Sequence, residues 1–256
     1  MPLHHQSNIE RIVFSIDKVR RERPHIHCIT NYVAQSFTAN VLLAIGALPS
    51  MTTAISEIED FVRISRGVLI NLGTINAQQK QSIKNAAYIA QKLSKPWALD
   101  PVFVEVSHER FQLARYLIAH SPTIIRLNAK EFEAVTGEPC TDLSVQEQAS
   151  LNNTIFAVTG LEDRIANNHS MLRLGNGTAT MERVTAVGCA LTAVLIAVAS
   201  VETDYKLAAV AGITWLNIAG EIAAETSEGP GSFSVALIDK LATVNESQIR
   251  DRIKIL

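Results

Sequence analysis

A mostly parallel β-sheet covered on both faces by helices is the architecture this chain predicts, and three observations predict it. Short apolar runs rich in Val, Ile and Leu alternate with longer segments of helical period. The runs are nearly unbroken, as strands buried on both faces must be. Polar and small residues recur just after each run, at the end where ligands of such sheets bind.

In order, Gly67-Val68-Leu69-Ile70-Asn71-Leu72-Gly73 predicts a strand and residues 76–92 a helix. A second strand lies within 96–101, followed by a helix over 107–120. Thr123-Ile124-Ile125-Arg126 is a third strand, with a helix over 129–135, and Thr154-Ile155-Phe156-Ala157-Val158-Thr159-Gly160 is a fourth. One stretch departs from this rhythm. Ser170-Met171-Leu172-Arg173-Leu174, the turn Gly175-Asn176-Gly177 and residues 178–184 read as a β-hairpin, which adds antiparallel strands at the sheet edge. Beyond it the pattern is helical over 191–201, 205–226 and 232–244, interrupted at Gly229-Pro230-Gly231. No linker, composition shift or repeat divides the sequence, so residues 1–256 read as one domain.

Composition excludes several classes of function. With 256 residues, 47% hydrophobic and 19% charged, the chain can bury a large core and is not disordered. A net charge of -2 and the absence of a long basic run argue against a nucleic-acid partner. The basic group Lys18-Val19-Arg20-Arg21-Glu22-Arg23 is short and predicts a solvated helix face. Cys28, Cys140 and Cys189 are widely spaced, which suits a reducing compartment and no disulfide framework. Met1-Pro2-Leu3-His4-His5-Gln6 has no signal-peptide character, so a cytoplasmic location is expected. The apolar run over 189–201 falls short of the roughly 20 residues that cross a bilayer. No membrane partner is expected.

The chemistry-bearing residues cluster at strand ends: Asn71 and Gly73-Thr74, then Asp100-Pro101, then Arg126, Asn128 and Glu131, then Thr159-Gly160. Together they offer carboxylates for a hard cation and donors for phosphate oxygens. Val184-Thr185-Ala186-Val187-Gly188-Cys189-Ala190-Leu191-Thr192 adds a small-residue turn running into an apolar helix, where backbone N–H groups can receive an anion and a thiol is more easily ionised. The inventory suits phosphoryl transfer, with neither a P-loop nor a protein-kinase glycine loop. Other readings stand beside it. Cys189 could be a packing residue, Asn128-x-x-Glu131 an ordinary helix cap, and Arg126 with Asp100 a surface pair. A cysteine nucleophile for acyl transfer would need a histidine base, and His27, His108, His120 and His169 carry no cue that places them beside Cys189.

These residues carry a resemblance. The ordered set His27-Cys28-Ile29-Thr30-Asn31-Tyr32-Val33, Phe37-Thr38-Ala39-Asn40, Gly46-Ala47-x-Pro49-x-Met51, Leu69-Ile70-Asn71-Leu72-Gly73-Thr74, Leu99-Asp100-Pro101-Val102, Ile125-Arg126-x-Asn128-Ala129-x-Glu131, Ala157-Val158-Thr159-Gly160, Gly188-Cys189-Ala190-Leu191-Thr192 and Gly229-Pro230-Gly231-Ser232-Phe233 resembles the hydroxyethylthiazole kinases of thiamine salvage. The resemblance implies a ribokinase-like three-layer α/β/α fold. It implies transfer of the ATP γ-phosphate to the hydroxyl of 4-methyl-5-(2-hydroxyethyl)thiazole, with Mg²⁺, in a homotrimer whose active sites lie between subunits. By the same resemblance Met51, Asn31 and Ala186 would bind substrate, and Arg126 and Thr159 the ATP phosphates. Asp100, Asn128 and Glu131 would organise the metal, and Gly188 and Cys189 would serve catalysis, Cys189 as the base.

Two stretches depart from the family pattern. The turn usually written Thr-Gly-Thr-Gly-Cys reads Thr185-Ala186-Val187-Gly188-Cys189, and a glycine-rich stretch after Asp100-Pro101-Val102 is replaced by Phe103-Val104-Glu105-Val106. These changes leave open a weakly active or non-catalytic thiazole- or nucleotide-binding homologue.

Overall fold

The computed structural model describes residues 2–256, with side chains from Asn8 onward. Eight strands form one sheet in the spatial order β2 (Leu48–Ser50), β1 (His25–Ile29), β3 (Gly67–Asn71), β4 (Trp97–Asp100), β5 (Ile124–Asn128), β6 (Ile155–Thr159), β7 (Asp163–Ala166) and β8 (Met171–Leu174). Every pair from β2 to β6 is parallel, and β7 and β8 close the edge antiparallel. β1 pairs with β2 on one side and β3 on the other, so the strand order reverses between β1 and β3. A crevice outside the carboxyl ends of those strands is the expected ligand site.

Alternation along the strands sorts the residues between two layers. Ile26, Leu69, Ala98, Ile124 and Ala157 enter the core shared with α1 (Pro2–Glu22), α2 (Gln35–Ala44), α8 (Val187–Ala199), α9 (Tyr205–Thr226), α10 (Pro230–Thr243) and α11 (Glu246–Arg252). Ile29, Ile70, Leu99, Ile125 and Val158 face the other way, toward α3 (Ile58–Ile64), α4 (Ala77–Lys92), α5 (His108–Ile118), α6 (Ala129–Thr136) and α7 (Asp142–Asn152). Continuing the count two residues from Leu69, Ala98, Ile124 and Ala157 puts Asn71, Asp100, Arg126 and Thr159 at the carboxyl ends on the α8 side. Four polar side chains thus converge on one helix because the strands keep period two.

α9 is long and apolar enough to cross a membrane, but its residues are spent on packing beneath α1, α8, α10 and α11. The cations of α1 also turn inward more than a solvated face requires. Lys18 donates to the Val201 carbonyl beyond α8, and Arg20 Nη2 donates to the Val244 carbonyl at the end of α10 over 2.7 Å. Helix carboxyl ends attract such cations.

The edge hairpin lies one strand earlier than the sequence predicts. β7 and β8 are its arms, and its turn is closed by Asn167, whose Oδ1 accepts from the amides of His169 and Ser170. Residues 178–184 do not continue the sheet: Ala179–Arg183 is a 3-10 turn. The Gly175-Asn176-Gly177 turn is instead held by polar groups of α9, with Glu221 Oε1 accepting from the Gly177 amide and Asn217 Nδ2 donating to the Asn176 carbonyl. Those bonds take the backbone groups a strand would have used.

Candidate active site

The N-terminus of α8 is the centre of the site. Ala186 caps it at φ 72, offers no side-chain acceptor, and no acidic residue occupies the first turn. The first-turn amides of Val187, Gly188 and Cys189 therefore point outward at the positive end of the helix. Arg126 lies against this turn. A Cβ on Gly188 would stand 2.8 Å from Arg126 Nη1 and 3.0 Å from Nη2, so only glycine admits the guanidinium. Nη2 donates to Thr159 Oγ1 over 2.5 Å, Nη1 lies 3.8 Å from Asp100 Oδ1, and Nε is buried without an acceptor. A cation beside a positive helix end is unfavourable on its own; an anion between the two satisfies both.

Next to it, at the β1/β3 crevice, lies a second cluster. Asn31 Nδ2 donates to Asn71 Oδ1 over 3.0 Å and to Cys189 Sγ over 3.5 Å. Asn71 Nδ2 donates to Asp100 Oδ2 over 2.7 Å and to Cys189 Sγ over 3.3 Å, while Thr192 Oγ1 donates to the same Asp100 oxygen. Gly73 is required here because a Cβ would stand 2.9 Å from the Asn31 side chain. Among the described residues no histidine is a partner of Cys189, so the acyl-transfer reading has no base there. The thiol is also not activated as the helix start predicts. Burial, and then the charge of Asp100, push it up to about 12, against the lowering effects of Asn71, Arg126 and Asn31. At neutral pH Cys189 is a thiol.

Asp100 is fully buried rather than part of a surface pair. Burial first, and Glu131 second among the raising causes, push it up to about 6, while Arg126, Asn71 and Thr192 hold it down. Its Oδ1 has no hydrogen-bond donor. Asn128 and Glu131 form the helix cap that their spacing allowed: Asn128 Oδ1 accepts from the Glu131 amide, and Glu131 Oε2 accepts from the Asn128 amide. Glu131 Oε1 accepts from the Phe103 amide. Among the described residues no group of three or more His, Cys, Asp or Glu side chains stands ready to hold a metal. An orphaned buried carboxylate oxygen beside a second carboxylate nevertheless fits a hard cation that keeps most of its ligands from phosphate and water, as magnesium does.

A cavity of about 680 Å³ opens beside the α8 N-terminus, with Arg126, Asn128, Thr159, Ala186 and Gly188 on its wall. It is within the size range of small-molecule sites. Asn31, Met51, Asp100, Glu131 and Cys189 lie outside it. Met51, just beyond β2, packs at the margin of the α2-side core. The structure thus divides the expected site into a cavity side and a crevice side, with Gly188 and Cys189 at the border.

Two buried polar residues of the cavity wall, Asp163 and Asn217, belong to no sequence motif, and a third, Asn176, is marked in the sequence only as part of a turn. Asn217 had a signal, as a polar residue inside the apolar run Trp215-Leu216-Asn217-Ile218. Asp163 had a weaker one, three residues after Gly160, whose amide it accepts. Burial pushes Asp163 up to about 6.

The two departures from the family pattern share one property. Ala186 at φ 72 and Phe103 at φ 55 both hold the left-handed conformation that favours glycine. Both positions thus hold a conformation that glycine adopts freely, and their side chains are accommodated under strain of about 1–2 kcal/mol each.

Comparison with known proteins agrees with this geometry. The hydroxyethylthiazole kinase family model matches residues 16–247. Proteins named hydroxyethylthiazole kinase from Clavibacter sepedonicus and Granulibacter bethesdensis are 43% and 36% identical, over 89% and 94% of this chain and 87% and 93% of their own. The structure of hydroxyethylthiazole kinase protein from Pyrococcus horikoshii OT3 superposes with a TM-score of 0.88 at 33% identity, covering 96% of this chain and 98% of that one. A ribokinase-like superfamily protein from Enterococcus faecalis V583 shares the fold at 13% identity and a TM-score of 0.64, over 85% of this chain and 86% of its own. The fold is ribokinase-like, and the chain belongs to the hydroxyethylthiazole kinase family.

Proposed function

We propose that this protein transfers the γ-phosphate of ATP to the hydroxyl of 4-methyl-5-(2-hydroxyethyl)thiazole, the step that returns this alcohol to thiamine synthesis. The observation that carries the reading is the Arg126 guanidinium seated against Gly188 at the open N-terminus of α8, on the wall of a nucleotide-sized cavity. That pairing is suited to an oxyanion with charge spread over several oxygens.

On this reading the cavity takes ATP, with Arg126 and Thr159 on its phosphates. The alcohol approaches from the crevice side, lined by Asn31 and Met51, and Ala186 lies at the border. The amides of Val187, Gly188 and Cys189 receive the charge of the transferring group. Cys189, protonated at neutral pH, orients the hydroxyl through Sγ. A loose transition state does not need early deprotonation, so positioning supplies most of the acceleration, and the hydroxyl proton passes late to an oxygen of the transferred phosphoryl group. Magnesium would be held by Asp100 and Glu131, with Asn128 fixing the Glu131 carboxylate, and would neutralise phosphate charge. Since Ala186 and Phe103 hold conformations that a glycine adopts freely, nothing in the geometry favours a non-catalytic homologue.

A homotrimer with sites between subunits is part of the same proposal. Its support is the free edge of β2 with the exposed apolar residues Leu43 and Leu48, and the exposed Tyr32 and Val33 that follow Asn31. Light scattering behind size exclusion tests it: a mass near 28 kDa contradicts the trimer. Three free cysteines support a reducing, cytoplasmic setting. The activity is tested by omission: ADP must form only when ATP, Mg²⁺ and the thiazole alcohol are all present. ADP release indifferent to the alcohol, or no release with all three, contradicts the reading.

A further inference from the structure

Beyond the residues that face the phosphates, one chain of hydrogen bonds builds the far wall of the cavity from a segment remote from it. The link is Asn176, which is buried. Its Oδ1 accepts from the Lys254 amide over 2.8 Å, and its Nδ2 donates to the Arg252 carbonyl over 2.8 Å and to Glu221 Oε1 over 3.1 Å. Both polar atoms of the side chain are therefore engaged by protein groups. The residue nonetheless lines the cavity. The neighbouring Gly175 amide donates to the Lys254 carbonyl, the Gly177 amide donates to Glu221 Oε1, and Leu174 bridges to Ile255.

The chain of bonds then runs on toward the phosphate side. Asn217 Nδ2 donates both to the Asn176 carbonyl over 2.9 Å and to Asp163 Oδ2 over 2.7 Å. Asp163 Oδ1 accepts from the Gly160 amide over 3.1 Å, directly after Thr159, the residue that holds Arg126. Gly160, Asp163, Gly175, Asn176, Gly177 and Asn217 all line the cavity. A wall made of short turns would otherwise be soft, because turn backbone has no ladder partners of its own.

We propose that Asn176 is a positioning residue for the nucleotide, fixing the Gly175–Gly177 wall against Arg252–Lys254 on one side and against Asn217 and Asp163 on the other. The inference rests on the cavity being the nucleotide site. It places no group of Asn176 in the reaction. It predicts a defect confined to nucleotide affinity, since the crevice at Asn31, Asn71 and Cys189 shares none of these bonds.

Three variants of the full chain test it: Asn176→Ala, Lys254→Pro and Lys254→Ala. Lys254→Pro deletes the amide that Asn176 accepts from, at a residue outside the cavity lining. Lys254→Ala keeps that amide and loses only the side-chain contact with Glu221. Kd for a non-hydrolysable ATP analogue is measured by calorimetry, with KM and kcat by ADP release. Asn176→Ala should weaken analogue binding and raise the ATP KM about tenfold or more, because buried partners are left unsatisfied. Lys254→Pro should move both the same way, Lys254→Ala by less than about twofold. The KM for the thiazole alcohol and kcat should stay within about threefold of wild type, measured well below the melting temperature. Unchanged analogue affinity in Asn176→Ala and Lys254→Pro overturns the inference, and so does an equal loss for both substrates, which marks a merely structural role. A wild-type protein that binds no analogue fails the nucleotide reading itself, a result distinct from either.

Discussion

Replacing Gly188 by alanine should separate stability from activity. The new Cβ would lie 2.8 Å from Arg126 Nη1, 3.0 Å from Nη2 and 3.2 Å from Cζ, so the guanidinium must leave its slot. It is the tip of a long side chain at the mouth of a cavity, and moving it disturbs little packing. Alanine also gains up to about 1 kcal/mol over glycine inside a helix. The loss of the Arg126 charge beside buried Asp100 opposes that gain, so the melting temperature should stay within about 4 °C of wild type for a chain of this size. Activity should fall. Displacing Arg126 breaks its 2.5 Å bond to Thr159, takes it from Asp100 and removes it from the α8 turn. Losing one positioned donor to a developing anion costs about 2.7–4 kcal/mol, or about 10²–10³ in rate. The assay is kcat/KM for ATP by ADP release, paired with a thermal melt. A Gly188→Ala enzyme within threefold of wild type refutes the claim that Arg126 works from this slot. A melting temperature lowered by 10 °C or more refutes the claim that the slot is functional rather than structural.

Other outcomes follow from the same geometry. Arg126→Ala should reduce kcat/KM by about a hundredfold or more, and Cys189→Ala should slow turnover by about tenfold without abolishing it, because the thiol orients rather than ionises; wild-type turnover in Cys189→Ala would remove the residue from the mechanism. Ala186→Gly relieves about 1–2 kcal/mol of left-handed strain against about 0.4–1 kcal/mol of added unfolded-state entropy, so stability should rise slightly and turnover should rise with it, further when combined with Val187→Thr; a clear drop in melting temperature contradicts the strain. His27 is fully buried against Phe61 and Ser50, and burial, then the charge of His25, lower its pKa from 6.5 to about 4. Since the folded state holds it neutral, its contribution is complete above about pH 6.5 and is lost as pH falls toward 4, by about 3 kcal/mol. The stability gap between wild type and His27→Gln should shrink by that order between pH 7 and 4. The comparison must be a difference, because Asp100 and Asp163, raised to about 6, strengthen the fold over the same descent.

What the sequence disclosed depended on whether the cause was local. β3, β4, β5 and β6 are legible because their apolar runs are unbroken and separated by segments of helical period, and counting by twos from Leu69, Ala98, Ile124 and Ala157 reaches Asn71, Asp100, Arg126 and Thr159. The caps at Asn76, Ser107 and Asn128 stood where the helices were expected to begin. The hairpin was misplaced because Gly175-Asn176-Gly177 carries the residues of a tight β-turn, and only the distant Asn217 and Glu221 decide that it stays a loop. β7 carries no strand signature, since Asp163-Arg164-Ile165-Ala166 has too few apolar residues to announce one. The state of Cys189 is not legible for a similar reason: a helix start lowers a thiol pKa, but burial and the nearby Asp100 outweigh it, and both are tertiary facts. Likewise, the sequence marked Ala186 and Phe103 as departures, and only the backbone shows that each holds a conformation that glycine adopts freely.

The most direct test of the phosphoryl-transfer reading is to follow the label from [γ-³²P]ATP in the presence of Mg²⁺ and 4-methyl-5-(2-hydroxyethyl)thiazole. The account predicts that it moves to a phosphate monoester of the alcohol, matched one for one by ADP, and that Gly188→Ala slows the transfer a hundredfold or more. Label that stays in ATP, or appears only as inorganic phosphate, contradicts it.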